Sequence, residues 1–182
     1  MGNIKAPSPV KLFIGMLFCH QEVAAEAIKA LILEFGPIDQ QSDVWKFDFT
    51  NYYADEMGPL LWRQFIAFEK LIDPGQLKNA KIFTNQLEAR LAKQYAPPPR
   101  PINLDPGYLS LSKVILATTK DYSHRLYLGD GIYGEVTLRY QQKQYQFWEW
   151  TYPDYRSEHY QTFFISLREL YKNKNLIDVK LT

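Results

Sequence analysis

The chain has 182 residues, of which 46% are hydrophobic and 23% charged, with a formal net charge of +1. This balance suits an ordinary globular fold and argues against a polyanion-coating or disordered chain, while leaving room for a local basic patch. The single cysteine, Cys19, excludes an intramolecular disulfide framework and a cysteine-only zinc site. The apolar run Leu12–Cys19 is far shorter than the ~20 residues that cross a bilayer, and it lacks the small residues of a signal-cleavage site. The expected setting is cytoplasmic, with no membrane contact.

Val10–Phe18 reads as a buried strand, too short and too uniformly apolar for most helices. Glu22–Phe35 has Ala24, Ala27, Ile28, Leu31 and Phe35 on one helical face, and Gly36-Pro37 stops it. Val44–Phe49 alternates Trp45, Phe47 and Phe49 with Lys46 and Asp48, the pattern of a half-buried strand. Leu60–Phe68 gives a third strand. Asp73-Pro74 then supplies a cap and a first-turn proline for a helix whose stripe is Leu77, Ala80, Phe83, Leu87 and Leu91. The connector Pro97–Pro101 ends that helix, and Ile102–Leu104 reads as a strand.

The order β-α-β-β-α-β over residues 10–104 is that of a ferredoxin-like split βαβ unit. The expected fold is therefore α+β in one domain, residues 1–182, with residues 105–182 extending this core by β-hairpins and a C-terminal helix. Asp105-Pro106-Gly107 reads as a turn. Leu111–Thr119 is strand or short helix, since periodicity cannot settle so short a run. Hairpins follow around Gly129–Gly131 and from Thr137 to Trp150. The final helix places Tyr160, Phe163, Phe164, Leu167 and Tyr171 on one face, with Ser157 as its cap.

Gly129–Gly134 spells G-x-G-x-x-G, but a strand rather than a helix follows, so the glycines serve a hairpin and not a dinucleotide. A three-residue loop pairs Leu128 with Ile132 and Leu126 with Gly134, which gathers Leu126, Leu128, Ile132, Val136 and Leu138 on one face. The other face then carries Arg125 opposite Glu135 and Tyr127 opposite Tyr133, beside Thr137 and Arg139. His124 falls on the Leu126 side.

The densest chemistry lies just before this hairpin, in Thr118–Arg125. Thr119, Lys120, Arg125, Tyr127, Tyr133 and Glu135 form the expected ligand-binding set, with cations for phosphate and rings for stacking. If the protein is an enzyme, phosphate-ester or nucleotidyl chemistry is expected, with Asp121 orienting a metal or nucleophile and His124 moving a proton. No P-loop spacing occurs, which excludes a standard P-loop GTPase. His20, His124 and His159 show no metal-ligand spacing. A hard-cation site for Mg²⁺ would have to be assembled from Asp48, Asp105, Asp121 and Asp130. Two aromatic-acidic segments, Phe47–Tyr53 and Trp148–Tyr155, follow strands and could line a groove in which rings stack.

The blocks Phe47–Tyr53, Asn103–Tyr108, Ala117–Arg125, Tyr127–Tyr133 and Thr151–Arg156 together resemble the prokaryotic family known as domain of unknown function 4416. Some members of that family carry a GTP-binding label, yet the resemblance implies no established activity, cofactor or catalytic residue. The functional expectation is a small anionic ligand, a nucleotide or phosphorylated metabolite, on the Lys120–Glu135 surface. The alternative is a non-catalytic module that binds a protein or RNA partner through an aromatic-rich surface. The lack of a basic stripe weighs against nucleic acid.

Overall fold

The structure, a computed structural model, describes residues 2–181, with side chains through Lys174. Its elements are β1 (Val10–Phe18), α1 (Gln21–Phe35), β2 (Ile38–Gln41), β3 (Trp45–Phe47), α2 (Ala54–Met57), β4 (Leu61–Ile72) and α3 (Leu77–Tyr95). They continue with β5 (Ile102–Leu109), β6 (Lys113–Thr118), β7 (Leu126–Gly129), β8 (Ile132–Gln141), β9 (Gln144–Phe147) and α4 (Glu158–Leu181). The fold is mixed, with these helices around one large antiparallel sheet. Strand order is β2-β4-β1-β5-β6-β8-β7, with β3 beside β4 and β9 beside β8. No described helix is long and apolar enough to cross a membrane.

β1 is buried along its whole length because the sheet is covered on both faces. On one face Leu12, Ile14, Met16 and Phe18 pack with Val23, Ala27 and Leu31 of α1 and with Ala80, Leu87 and Leu91 of α3. On the other, Phe13, Phe65, Leu109 and Leu116 pack under Tyr160, Phe163, Phe164 and Leu167 of α4. A strand with two covered faces needs no polar alternation, which accounts for its apolar sequence. At its outer end Lys11 is fully buried, and its Nζ donates to Asp39 Oδ1 at 2.6 Å and to the Phe68 carbonyl at 2.6 Å.

Asp105-Pro106-Gly107 is not a turn. It lies inside β5, where Gly15 of β1 faces Asp105 and Ile14 faces Pro106. Pairing of β5 with β6 begins only at Gly107, opposite Leu116, so the proline sits where the β6 ladder has not yet started. Gly107 also admits a close approach, since a Cβ there would lie 2.5 Å from Phe13 Cζ and 2.6 Å from the Ile115 carbonyl oxygen. Two-sided strand pairing thus overrides a strong local turn signature. Leu111–Thr119 resolves as the strand β6.

The β7–β8 hairpin turns through two residues, not through the expected three-residue loop Gly129–Gly131. Asp130 and Gly131 both have positive φ, 53° and 75°, and form a two-residue turn. Leu126 faces Gly134 and Tyr127 faces Tyr133 as expected, but Gly129, not Leu128, faces Ile132. A bulge at Leu128 absorbs the difference. A second irregularity pairs Ile115 with Val136 but Val114 with Leu138. Leu138 is thereby turned toward α4, while Ile132 and Val136 pack with Leu77 and Ile115. The expected apolar set is therefore split between two faces, and Leu126 and Leu128 remain exposed on β7.

Gly107→Ala should lower unfolding stability by at least about 2 kcal/mol, because backbone and a core ring occupy the space of the new methyl. Urea titration reads this directly, and an unchanged midpoint would contradict the close approach.

Candidate functional site

On the α4 face of the sheet, Leu61, Arg63, Phe65 and Ala67 of β4 recur at period two and are all buried. Arg63 is thus a cation at a core-facing position, 3% exposed. Its guanidinium donates from Nη2 to Asp154 Oδ2 at 3.3 Å, and Nη1 lies 3.6 Å from Asp105 Oδ2. Asp105 is two strands away, and Arg63 reaches it across β1 because Gly15 presents no side chain. A Cβ on Gly15 would meet Phe65 Cε1 at 2.9 Å and Arg63 Nη1 at 3.3 Å. The rings of Phe47 and Phe65 lie 5.3 and 5.8 Å from the guanidinium carbon.

Burial works against the Arg63 charge, but Tyr160, Asp154, Tyr155 and Asp105 outweigh it and push its pKa up. It is therefore a permanent cation. Burial raises the Asp154 carboxyl above its ordinary value even though Arg63 pulls the other way. Asp105 is further held by Asn103 Nδ2 at 2.6 Å and has Lys81 Nζ 3.6 Å from its Oδ1. Arg63 Nε and Nη1 form no hydrogen bond of good geometry among the described residues, but the Tyr160 phenol lies within the guanidinium's reach, and its Oη, like that of Tyr155, is buried without another partner. Buried donors left unsatisfied cost roughly 1–3 kcal/mol each.

Arg63, Asp105 and Asp154 are among the residues that line a cavity of about 120 Å³. Its floor carries Arg63, Asp105, Leu116, Thr118 and Glu135, and its sides carry Phe47, Phe49 and Tyr53 from the β3–α2 segment and Tyr152–Tyr155 from the turn before α4. The two aromatic-acidic segments singled out in the sequence thus converge on one pocket. Burial pushes the phenols of Tyr53 and Tyr152 up to about 12, so both stay protonated at neutral pH.

Glu135 is 2% exposed, and only one of its oxygens is in use. Oε2 accepts from Arg125 Nε at 2.7 Å and lies 3.1 Å from His124 Nε2. Oε1 is buried without a partner among the described residues. Arg125 also donates to Tyr152 Oη at 2.9 Å and to the Lys120 carbonyl at 3.0 Å, pinning the 119–125 loop to the pocket wall. Burial would lower the Arg125 pKa, but the bonds and charges of Glu135 and Tyr152 raise it.

Residues 8–171 match the family model described as Domain of unknown function (DUF4416). The chain belongs to that family. No curated protein and no solved structure matches it. In this DUF4416 chain the segments that carried the resemblance supply most of the pocket: Phe47, Phe49, Thr50 and Tyr53, then Asp105, then Ala117 and Thr118, then Tyr152–Tyr155.

Of the residues expected to bind ligand, Glu135 alone lines the pocket, and Arg125 supports it from behind. Lys120 stands beside it, its Nζ donating to Tyr52 Oη at 3.2 Å and its N–H to Thr118 Oγ1. Thr119 and Asp121 are exposed on the loop. Tyr127 and Tyr133 pair with each other, rings 5.3 Å apart, away from the cavity lining. His124 lies on the Glu135 side, not the Leu126 side, because residues 119–125 form a loop and strand alternation begins only at Leu126. It stacks on Trp150 at 4.8 Å, and Trp150 stacks on Trp148 at 5.2 Å. Asp48, Asp105, Asp121 and Asp130 do not assemble, since no group of three His, Cys, Asp or Glu among the described residues is placed to hold a metal ion. Asp130 instead pairs with Lys78 at 2.7 Å. Sequence reasoning missed Arg63, whose signal was a charge in register with Leu61 and Phe65, and it read Asp105 as turn.

Arg125→Ala should destabilise the fold by about 2 kcal/mol or more, since it strands the buried Glu135 charge. Lys120→Ala, at an exposed position, should cost less than about 0.5 kcal/mol. Chemical denaturation of both variants checks the contrast, and equal stability would show that Arg125 does not pin Glu135.

Proposed function

We propose that the protein binds a small polar metabolite, a nucleotide or a phosphorylated metabolite, in the pocket between Arg63 and Glu135. The observation that carries this reading is Glu135, a buried carboxylate whose Oε1 has no partner among the described residues, in the lining of one aromatic-walled cavity together with Arg63. Such groups persist in a folded protein when something else completes them. The lining holds three carboxylates, Asp105, Glu135 and Asp154, against one guanidinium. A phosphate is poorly served inside such a wall. The anionic part of the ligand belongs at the mouth, beside the exposed Lys120 ammonium, and the uncharged part within.

The strand order β2-β4-β1-β5, with α1 and α3 on one face, supports reading residues 10–104 as a ferredoxin-like split βαβ unit. In that unit β2 and β3 share one edge of β4 and act as a broken second strand. The remaining strands extend the same sheet and bring Glu135 over the core. A cytoplasmic setting, in which the Cys19 thiol stays reduced, belongs to the same proposal.

A second reading, partner binding through an aromatic surface, is favoured by the terminal strand β7, where Leu126 is 74% and Tyr127 63% exposed. The two readings predict different sensitivities. In a thermal-shift screen of nucleotides and sugar phosphates, a bound ligand should raise the melting temperature, and Glu135→Gln should weaken it at least tenfold, about 1.4 kcal/mol. Lys120→Ala should lower affinity mainly at low salt, because an exposed charge is screened. Binding that ignores Glu135→Gln but is lost in Leu126→Ser would transfer the function to β7.

A further inference from the structure

We infer that β9 is a self-pairing edge, at which two copies of the chain join antiparallel, β9 to β9, about a two-fold axis at Gln146. The pocket between Arg63 and Glu135 plays no part in this, since its lining contains no β9 residue. An open strand edge is a template for another strand unless some device closes it. The marginal strands of this sheet differ in that respect. β2 and β3 are tied to α4, where Gln40 donates to Ser166 at 3.0 Å and the Trp45 ring stacks on Tyr160. β7 carries the bulge at Leu128. β9 has no such device: Gln144–Phe147 includes no charge and no proline, and its pairing with β8 runs without a register shift.

The turn before β9 decides which of its backbone groups stay open. Gln142 and Lys143, at φ 53° and 64°, form a two-residue turn between the paired residues Gln141 and Gln144. Such a turn closes on a pair that exchanges both backbone bonds, and bonded pairs alternate along an antiparallel ladder. Gln144 with Gln141 and Gln146 with Arg139 are then the bonded pairs. The N–H of Tyr140, opposite Tyr145, agrees by pointing the other way, to the Ser112 carbonyl at 2.7 Å. Tyr145 and Phe147 therefore direct their N–H and C=O groups away from β8, and these groups have no partner among the described residues. Beside them lies a groove of about 510 Å³ walled by Gln161 and Ile165 of α4. Phe147 is 41% and Ile165 39% exposed there.

Register and charge select a second copy as the occupant. In an antiparallel pair centred on Gln146, Tyr145 of one copy faces Phe147 of the other, so each open N–H meets an open C=O. None of the outward groups of either strand is left over. The Phe147 ring of each copy comes beside Tyr145 of the other, at the groove that Ile165 walls. Between residues 141 and 149 the charged side chains are Lys143 and Glu149, both exposed and equally far in sequence from Gln146 on its two sides. The axis thus brings the Lys143 end of each copy beside the Glu149 end of the other, and it sets no like charges of this segment together. A foreign strand carries no such built-in match.

Sedimentation velocity of the full chain, from low micromolar to submillimolar concentration, tests this. A strand of 4 residues is a short contact beside the roughly 800 Å² per partner of a standard interface, so a reversible dimer of micromolar affinity is expected. Lys143→Glu puts like charges at both symmetric contacts, and Glu149→Lys does the same, so each alone should weaken the dimer about tenfold at low salt. An equimolar mixture of the two variants has opposite charges at both contacts of the mixed dimer and should regain wild-type association. Recovery on mixing also shows that both variants are folded. A chain that stays monomeric throughout overturns the inference. A dimer indifferent to both reversals, or one lost instead in Leu126→Ser, has its contact elsewhere and overturns it equally. A mixture that associates no better than its components overturns the register about Gln146. All of these outcomes leave the pocket reading untouched.

Discussion

Arg63 is 3% exposed on a strand whose neighbours on the same face are Leu61, Phe65 and Ala67, and removing such a charge from water costs several kcal/mol even after the protein relaxes. Much of the surrounding structure compensates that cost. Gly15 leaves the guanidinium a path over β1, β5 brings Asp105 from beyond it, and the turn before α4 places Asp154 against Nη2. The compensation is incomplete at Nε and Nη1. Buried ion pairs can often be replaced by apolar side chains with little loss of stability, so an arginine kept at this depth accords with the pocket proposed above.

The parts of the fold legible from sequence were those in which one signal ran long enough to dominate. The 3.6-residue stripes of α1, α3 and α4 and the two-sided burial of β1 lie where the residues put them. Short elements escaped. β2, Ile38–Gln41, has one apolar residue among four and exists because the edge of β4 accepts it. Asp105-Pro106-Gly107 carried an unambiguous local turn signature, yet non-local pairing on both sides of β5 outweighed it. The bulges at Leu128 and Thr137 follow from fitting two ladders to β8 at once, and no periodicity within one strand reveals that.

The site shows the same division. The segments Phe47–Tyr53 and Trp148–Tyr155 advertised rings and acids separately, and only topology reveals that both contribute to the lining of one cavity. The cluster from Thr118 to Arg125 drew attention because its charges are dense in sequence. In space its main ion pair faces inward, with Arg125 and His124 holding Glu135 in place. Stacking of His124 on Trp150 and of Trp150 on Trp148 fixes that loop further. Charge density along the chain thus marked the scaffold of the site, whereas the residue at its centre stood alone between Trp62 and Gln64.

The positions of charge also constrain what the pocket accepts. Asp105 is balanced by Arg63 and Lys81, Asp154 by Arg63, and Glu135 by Arg125. With these pairs formed, the wall is close to neutral, and a bare anion inside would meet three carboxylates in a poorly screened environment. Burial keeps the phenols of Tyr53 and Tyr152 protonated up to about 12, so they add donors without adding charge. A neutral polar group would leave undisturbed the pairs on which the sheet relies, and Glu135 Oε1 is still without a partner among the described residues. An anionic substituent gains most outside, where Lys120 is exposed and water screens the carboxylates behind it. The ligand proposed above, a neutral group with an anionic substituent, matches this separation of a near-neutral interior from a cationic rim.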